Sequence, residues 1–201
     1  MADDPKLSRR ELFRGKIFKP IRDAAARGAA AGRAVAKQDI SLSLLQRPPG
    51  AVAEGQFLAS CTRCGECITA CPPQAIRWAP SEAGEKRAGT PFIDPIRQAC
   101  VMCTDTPCIT ACEPGVLRDE LPLKMADAQV DKLSCLAWQG QPCTLCVDQC
   151  PVEGAISLDE ANRPAISPEA CTGCGVCVQV CPAPQNAINH RALDNRPFWH
   201  G

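Results

Sequence analysis

The chain has 201 residues, enough for one or two small domains, with 22 basic and 22 acidic side chains. Aromatic residues make up 4% and there is no tyrosine, while 16 residues are cysteine, so few bulky side chains are available for a conventional core. No uncharged apolar run is long enough to cross a bilayer, and the balance of −6 carried by the chain after residue 37 argues against nucleic acid as a partner.

Residues 1–37 carry ten Lys or Arg and four Asp or Glu, a basic head before an acidic body. Ser8-Arg9-Arg10-Glu11-Leu12-Phe13 looks like the start of a twin-arginine export signal. Such a signal needs an apolar stretch behind the arginines. Here Ile21 to Lys37 contains Arg22, Asp23, Arg27 and Arg33, so the segment reads as uncleaved and the protein as cytoplasmic. Ser8 and Glu11 have capping-box spacing, which predicts a short helix from near Arg9. Phe13 and Ile17 would share one face among Arg9, Arg10, Arg14, Lys16 and Lys19. Two readings of residues 9–19 stand side by side: a docking helix for a partner protein or an anionic membrane surface, and a solvated tail. Gln38 to Gly55, with Pro48-Pro49-Gly50, reads as a linker. The predicted organisation is a basic segment and linker at 1–55, a cysteine-rich domain at 56–190 and a tail at 191–201.

From Gln56 the chain is an internal repeat of four cysteine motifs. Cys61, Cys64, Cys67 and Cys71 form Cys-x2-Cys-x2-Cys-x3-Cys, followed by Pro72, and Cys171, Cys174, Cys177 and Cys181 repeat it before Pro182. Cys100, Cys103, Cys108 and Cys112 widen the middle gap to four, and Glu113 stands where proline follows the other motifs. Cys135, Cys143, Cys146 and Cys150 widen the first gap to seven and end at Pro151. A turn of helix is predicted at the end of each motif, as in Cys67-Ile68-x-x-Cys71. Short strands are predicted at Ala75-Ile76, Val116-Leu117, Ala155-Ile156 and Ala187-Ile188. Return strands are predicted at Thr90–Asp94, Ala128–Asp131 and Arg163–Ser167. The fold class is α+β: repeated ferredoxin-like βαβ-type modules, with a mostly irregular or helical basic N-terminal segment.

The tight spacing followed by proline is the ligand pattern of [4Fe–4S] clusters, whose irons take soft thiolates. Four motifs predict four clusters, held by all sixteen cysteines. A disulfide framework does not need this spacing four times over. Zinc suits paired Cys-x2-Cys elements but not the third and fourth cysteines with the trailing proline. In two-cluster ferredoxins the fourth cysteine of a motif serves the other cluster, so motifs work in pairs. Gaps of 28, 22 and 20 residues between motifs fit sequential pairing and nested pairing alike. Cluster-free protein is predicted to be largely unfolded. Trp138, in the long loop of the third motif, either packs or shields a cluster from water. His190 and His200 read as solvated. There is no glycine-rich phosphate loop or dinucleotide fingerprint, and each motif brings a full ligand set, so no catalytic site is predicted.

With these motifs, with the Ser8-Arg9-Arg10 start and with Cys135-Leu136-Ala137-Trp138-Gln139 leading to Cys143, Cys146 and Cys150, the chain resembles the ferredoxin-type proteins of the NapF and NapG/MauM group, associated with periplasmic nitrate reductase operons. It is similar also to four-cluster β subunits of molybdopterin oxidoreductases, a likeness that implies nested pairing. NapF-like members imply a cytoplasmic accessory role in maturing a molybdenum-containing nitrate reductase subunit before export. NapG/MauM-like members imply electron transfer from quinol or another donor to a reductase. The charged N-terminus looks like NapF, while the gap between Cys103 and Cys108 looks like NapG/MauM. The NapF-like role is the one expected, with the nitrate reductase precursor or another redox protein as partner.

Overall fold

The structure is a computed structural model that describes residues 44–200. The twin-arginine-like start, the helix expected from Arg9 and its basic face lie outside the described residues. So does the beginning of the expected linker.

Two similar modules follow each other. In the first, α1 (Glu54–Ser60) leads into the first cysteine loop and α2 (Glu66–Thr69). Strands β1 (Ile76–Trp78) and β2 (Pro91–Ile93) then pair antiparallel, with Ile76 opposite Ile93 and Trp78 opposite Pro91. The second cysteine loop follows, with α3 (Pro107–Thr110). The chain closes on itself through an antiparallel bridge between Ala51 and Leu117. That bridge is flanked by backbone bonds from Val52 to the Val116 carbonyl, 3.1 Å, and from Arg118 to the Gly50 carbonyl, 2.8 Å.

The second module repeats the plan with a longer outer pair. Strand β3 (Ala126–Val130) precedes the third motif, with a 3-10 turn at Ala137–Gln139 and α4 (Leu145–Asp148). Strands β4 (Ile156–Leu158) and β5 (Pro164–Ile166) form the inner hairpin. After the fourth motif and α5 (Val176–Val180), β6 (Ile188–Ala192) returns antiparallel to β3, with Val130 opposite Ile188 and Ala126 opposite Ala192. Each module is thus an outer pair enclosing motif, hairpin and motif.

Strands of three to five residues are short for independent stability. They hold because they bury β-branched or small residues beside cysteine: Ile76 and Ile93 in the first module, and Ala128, Ile156 and Ile188 in the second.

Four expectations change. Part of the segment read as linker is core: Leu45, Arg47 and Val52 are almost completely buried, and Glu54 already begins α1. The reason is Arg47, whose guanidinium donates to Glu54 Oε1 at 2.6 Å and Oε2 at 2.9 Å, to Thr90 Oγ1 at 2.7 Å and to the Pro91 carbonyl at 2.8 Å. Val116-Leu117 forms a bridge rather than a strand, since its partner is the turn-flanked Ala51. The strand expected at Ala128–Asp131 starts at Ala126 and opens the second module instead of returning to the first. The residues read as a tail fold back: β6 runs to Ala192, and Ala53 donates to the Pro197 carbonyl at 2.8 Å. Trp199 and Gln56 exchange two bonds of 2.9 Å. Arg118 stacks on the Trp199 ring at 4.5 Å.

Candidate iron–sulfur centres

The backbone curls each cysteine loop by the same device. In the first, second and fourth motifs the residue before the second cysteine is left-handed: Arg63, Met102 and Gly173. The residue that opens the following helical turn is left-handed too: Gly65, Thr106 and Gly175. Alternation of backbone handedness makes a concave loop with its N–H groups turned inward, suited to an anionic group. In the third motif the long first gap is taken up by the 3-10 turn, which ends at left-handed Gly140.

The sixteen thiols fall into four quartets, each with three cysteines of one motif and the last cysteine of its neighbour. Quartet 1 is Cys61, Cys64, Cys67 and Cys112, which line one cavity with Pro91, Pro114 and Val116. Quartet 2 is Cys100, Cys103, Cys108 and Cys71, lining a second cavity with Pro72 and Ile93. Quartet 3 is Cys135, Cys143, Cys146 and Cys181, around a cavity closed by Pro164, Pro182 and Ala187. Quartet 4 is Cys171, Cys174, Cys177 and Cys150; the other three are each close enough to raise the Cys177 thiol. Pairing is therefore sequential, first motif with second and third with fourth. The nested pairing implied by the molybdopterin oxidoreductase β subunits does not occur, because each helical turn hands its last cysteine across its own inner hairpin.

Burial comes first, and mutual repulsion second, in pushing the Cys67 and Cys177 thiols up to about 12. Burial and the nearby Cys100 and Cys71 do the same to Cys108. Cys146 is pushed up to about 11, by burial and then by Cys135 and Cys143. A metal centre takes its cysteine ligands as thiolates, so loading these sites would release protons. Three thiols from one loop with the fourth from the neighbouring motif is the ligand arrangement of [4Fe–4S] clusters in two-cluster ferredoxins.

Backbone N–H groups point at three of the ligand sulfurs: Ala75 to Cys71 at 3.3 Å, Gly173 to Cys171 at 3.4 Å and Ala187 to Cys181 at 3.4 Å. Such bonds favour the more negative, reduced state of a bound cluster. Trp138 packs, half-buried, on the apolar cluster of Cys135, Ala137 and Ala187, and its Nε1 donates to the Pro164 carbonyl at 3.2 Å. Lys132 and Arg163 each lie 4.3 Å from its ring centroid.

Sequence reasoning passed over several supporting residues. His190 is half-buried rather than solvated: burial lowers its pKa, and its Nε2 meets the Gly173 carbonyl at 3.1 Å. Gln46 Nε2 donates to that same carbonyl at 3.1 Å from within the expected linker. Nothing local marks Gln46, Arg47 or Glu54 as structural. The one available signal was the charge pair seven residues apart. Among the described residues no helix is long and apolar enough to cross a membrane.

Outer pair, inner hairpin, swapped fourth ligand and curled cysteine loops together define an iron–sulfur protein of dicluster ferredoxin repeats. The 4Fe-4S dicluster domain family matches residues 60–116 and 141–185, two stretches that divide the motifs as the modules do. The methylamine utilization ferredoxin-type protein MauM of Methylorubrum extorquens is 42% identical, over 71% of this chain and 70% of that protein. The ferredoxin-type protein NapG of Escherichia coli is 38% identical, over 71% and 68%. The ferredoxin-type protein NapF of Escherichia coli is 29% identical, over 68% and 79%. The chain belongs to the family of ferredoxin-type electron-transfer proteins that includes MauM and NapG.

Proposed function

We propose that this protein is an electron relay of the MauM/NapG kind, holding four [4Fe–4S] clusters and joining a donor to an acceptor redox protein in a respiratory or methylamine-utilization system. The observation that carries this reading is the completeness of the quartets: every thiol has three companions, so each cluster would be fully ligated. A bound [4Fe–4S] cluster takes up and returns one electron. The chain's part is to hold it, bury it and set its potential through N–H···S bonds and packing. Full ligation leaves no iron corner for a substrate, which supports a carrier rather than an enzyme. Anaerobically purified protein should contain about sixteen iron atoms and about sixteen acid-labile sulfides. Reduced protein should be reoxidised by a redox partner without other chemistry. A count near eight of each would defeat the four-cluster reading.

A second reading keeps the cytoplasmic accessory role of NapF, with a nitrate reductase precursor as partner. Its support is the charged run from Ile21 to Lys37 behind Arg9 and Arg10. The gap between Cys103 and Cys108, and the higher identity to MauM and NapG than to NapF, favour the first reading. Cell fractionation with pull-down separates them. Recovery from the periplasm with quinol-oxidising components supports the first reading. Stable binding to an unexported molybdoenzyme precursor supports the second.

A further inference from the structure

The two modules meet on one pair of cysteine loops. Cys100, which opens the second motif, donates its backbone N–H to the Cys174 carbonyl of the fourth motif at 3.2 Å. Cys174 packs in the apolar cluster of the first module, which holds cysteines of both its quartets, and its thiol lies close to that of Cys100, whereas Cys177 and Cys171 pack with their own module. One residue on, a Cβ at Gly175 would stand 2.3 Å from Pro95 Cβ, so glycine is what allows the approach. Gln179 on α5 clamps the contact. Its Oε1 accepts from the Ala99 N–H at 3.1 Å, and its Nε2 donates to the Arg97 carbonyl at 3.4 Å.

Quartets 1 and 3 take no part in these contacts. Quartet 1 is enclosed by Thr62, Pro91, Pro114 and Leu117, all of the first module. Quartet 3 packs on Val130, Trp138, Ala183 and Ala187, all of the second. Within each module the quartets are joined by close cysteines: Cys67 beside Cys108 in the first, and Cys146 beside Cys177 in the second.

We propose that the Cys100–Cys174 junction sets the quartets in single file, in the order 1–2–4–3, with quartets 2 and 4 at the joint and quartets 1 and 3 at the ends. The order rests on the four-cluster reading above. It differs from the order of the motifs along the chain, and it gives the protein two separate partner faces. One lies at the quartet 1 loop, where Cys64 is exposed. The other lies at the quartet 3 loop, where Leu145 is exposed. A one-electron donor protein and a one-electron acceptor protein would meet opposite ends.

The test is magnetic coupling in the reduced holo-protein, after iron and sulfide have been counted. A wild-type count well below about sixteen defeats the four-cluster reading, and the order with it. Given the full count, Cys103→Ser, which removes a ligand of quartet 2, should lower iron to about twelve per molecule. It should leave quartet 1 with an uncoupled spectrum while quartets 3 and 4 remain coupled. Cys64→Ser should leave three coupled centres. A quartet 1 signal still coupled in Cys103→Ser overturns the order. Should the variants not assemble, an iron-edge anomalous map of wild-type holo-protein crystals decides it. Quartets 2 and 4 must then supply the two middle peaks, and peaks of quartet 1 or 3 at the joint overturn the proposal.

Discussion

Glu54 carries more than its position suggests. One carboxylate faces Arg47, which is completely buried, Arg196, whose side chain is 2% exposed, and Arg87 at 3.6 Å. Burial alone would raise the Glu54 pKa. The Arg47 hydrogen bonds, with the charges of Arg47, Arg196 and Arg87, outweigh burial and hold it below the usual 4.5. Burial in turn pushes Arg196 down to about 10, against the attraction of Glu54. Glu54→Gln leaves a buried guanidinium without its counter-charge and should cost about 3 kcal/mol, read from denaturant midpoints at neutral pH. A group whose folded pKa is depressed contributes fully above its unfolded pKa and loses that contribution as pH falls. The advantage of wild type over Glu54→Gln should therefore be flat above about pH 5.5 and shrink below 4.5. A second change at this scale is Gly173→Ala. Gly173 has φ +68°, and an added Cβ would meet the Ala126 carbonyl oxygen and amide nitrogen. The fourth loop would have to leave β3, so the variant should lose one cluster and about a quarter of its iron.

At the scale of elements, the helical turns matter because each serves two quartets. α2 carries Cys67 to quartet 1 and ends beside Cys71, which belongs to quartet 2. Cys112→Ser should therefore disturb the same paramagnetic centre as Cys64→Ser, and Cys71→Ser the same centre as Cys103→Ser, as electron paramagnetic resonance of reduced protein would read. Much of this was legible in the sequence. Cysteine spacing dictates the loops, and the apolar pairs four to six residues after each motif's last cysteine predict β1, β4 and β6. The motif pairing was not legible, because gaps of 28, 22 and 20 residues leave room for an inner hairpin in any partnership. Resemblance to nested β subunits pointed the wrong way. What decides the pairing is long-range: Ala51 meeting Leu117 and β3 meeting β6, each closing its own pair of motifs. Arg47 was unreadable for the same reason, since its burial depends on Thr90 and Pro91, more than forty residues away.

As a whole molecule the chain has little to hold it except its quartets. Its fully buried side chains include one phenylalanine, Phe57, under the Arg47 guanidinium at 4.5 Å. Cysteine forms part of three of the four apolar clusters. Removing iron leaves buried thiols that repel one another once ionised, around cavities with little else to fill them. Anaerobic chelation should abolish most of the circular dichroism of residues 44–200, and reconstitution with iron and sulfide should restore it. Retention of the full spectrum after chelation would mean that the polypeptide folds unaided.

The return of Arg196 and Trp199 onto α1 and Arg118 has a bearing on biogenesis. The first two motifs are synthesised early, yet the knot around Glu54 closes only with residues made after the fourth. Until those residues have left the ribosome, α1 lacks its partners Pro197 and Trp199, and Glu54 lacks Arg196. Purified protein ending at residue 193 should yield iron from the leading module to a chelator faster than the 201-residue chain does. Loss of the last eight residues would then loosen the front of the protein rather than its back.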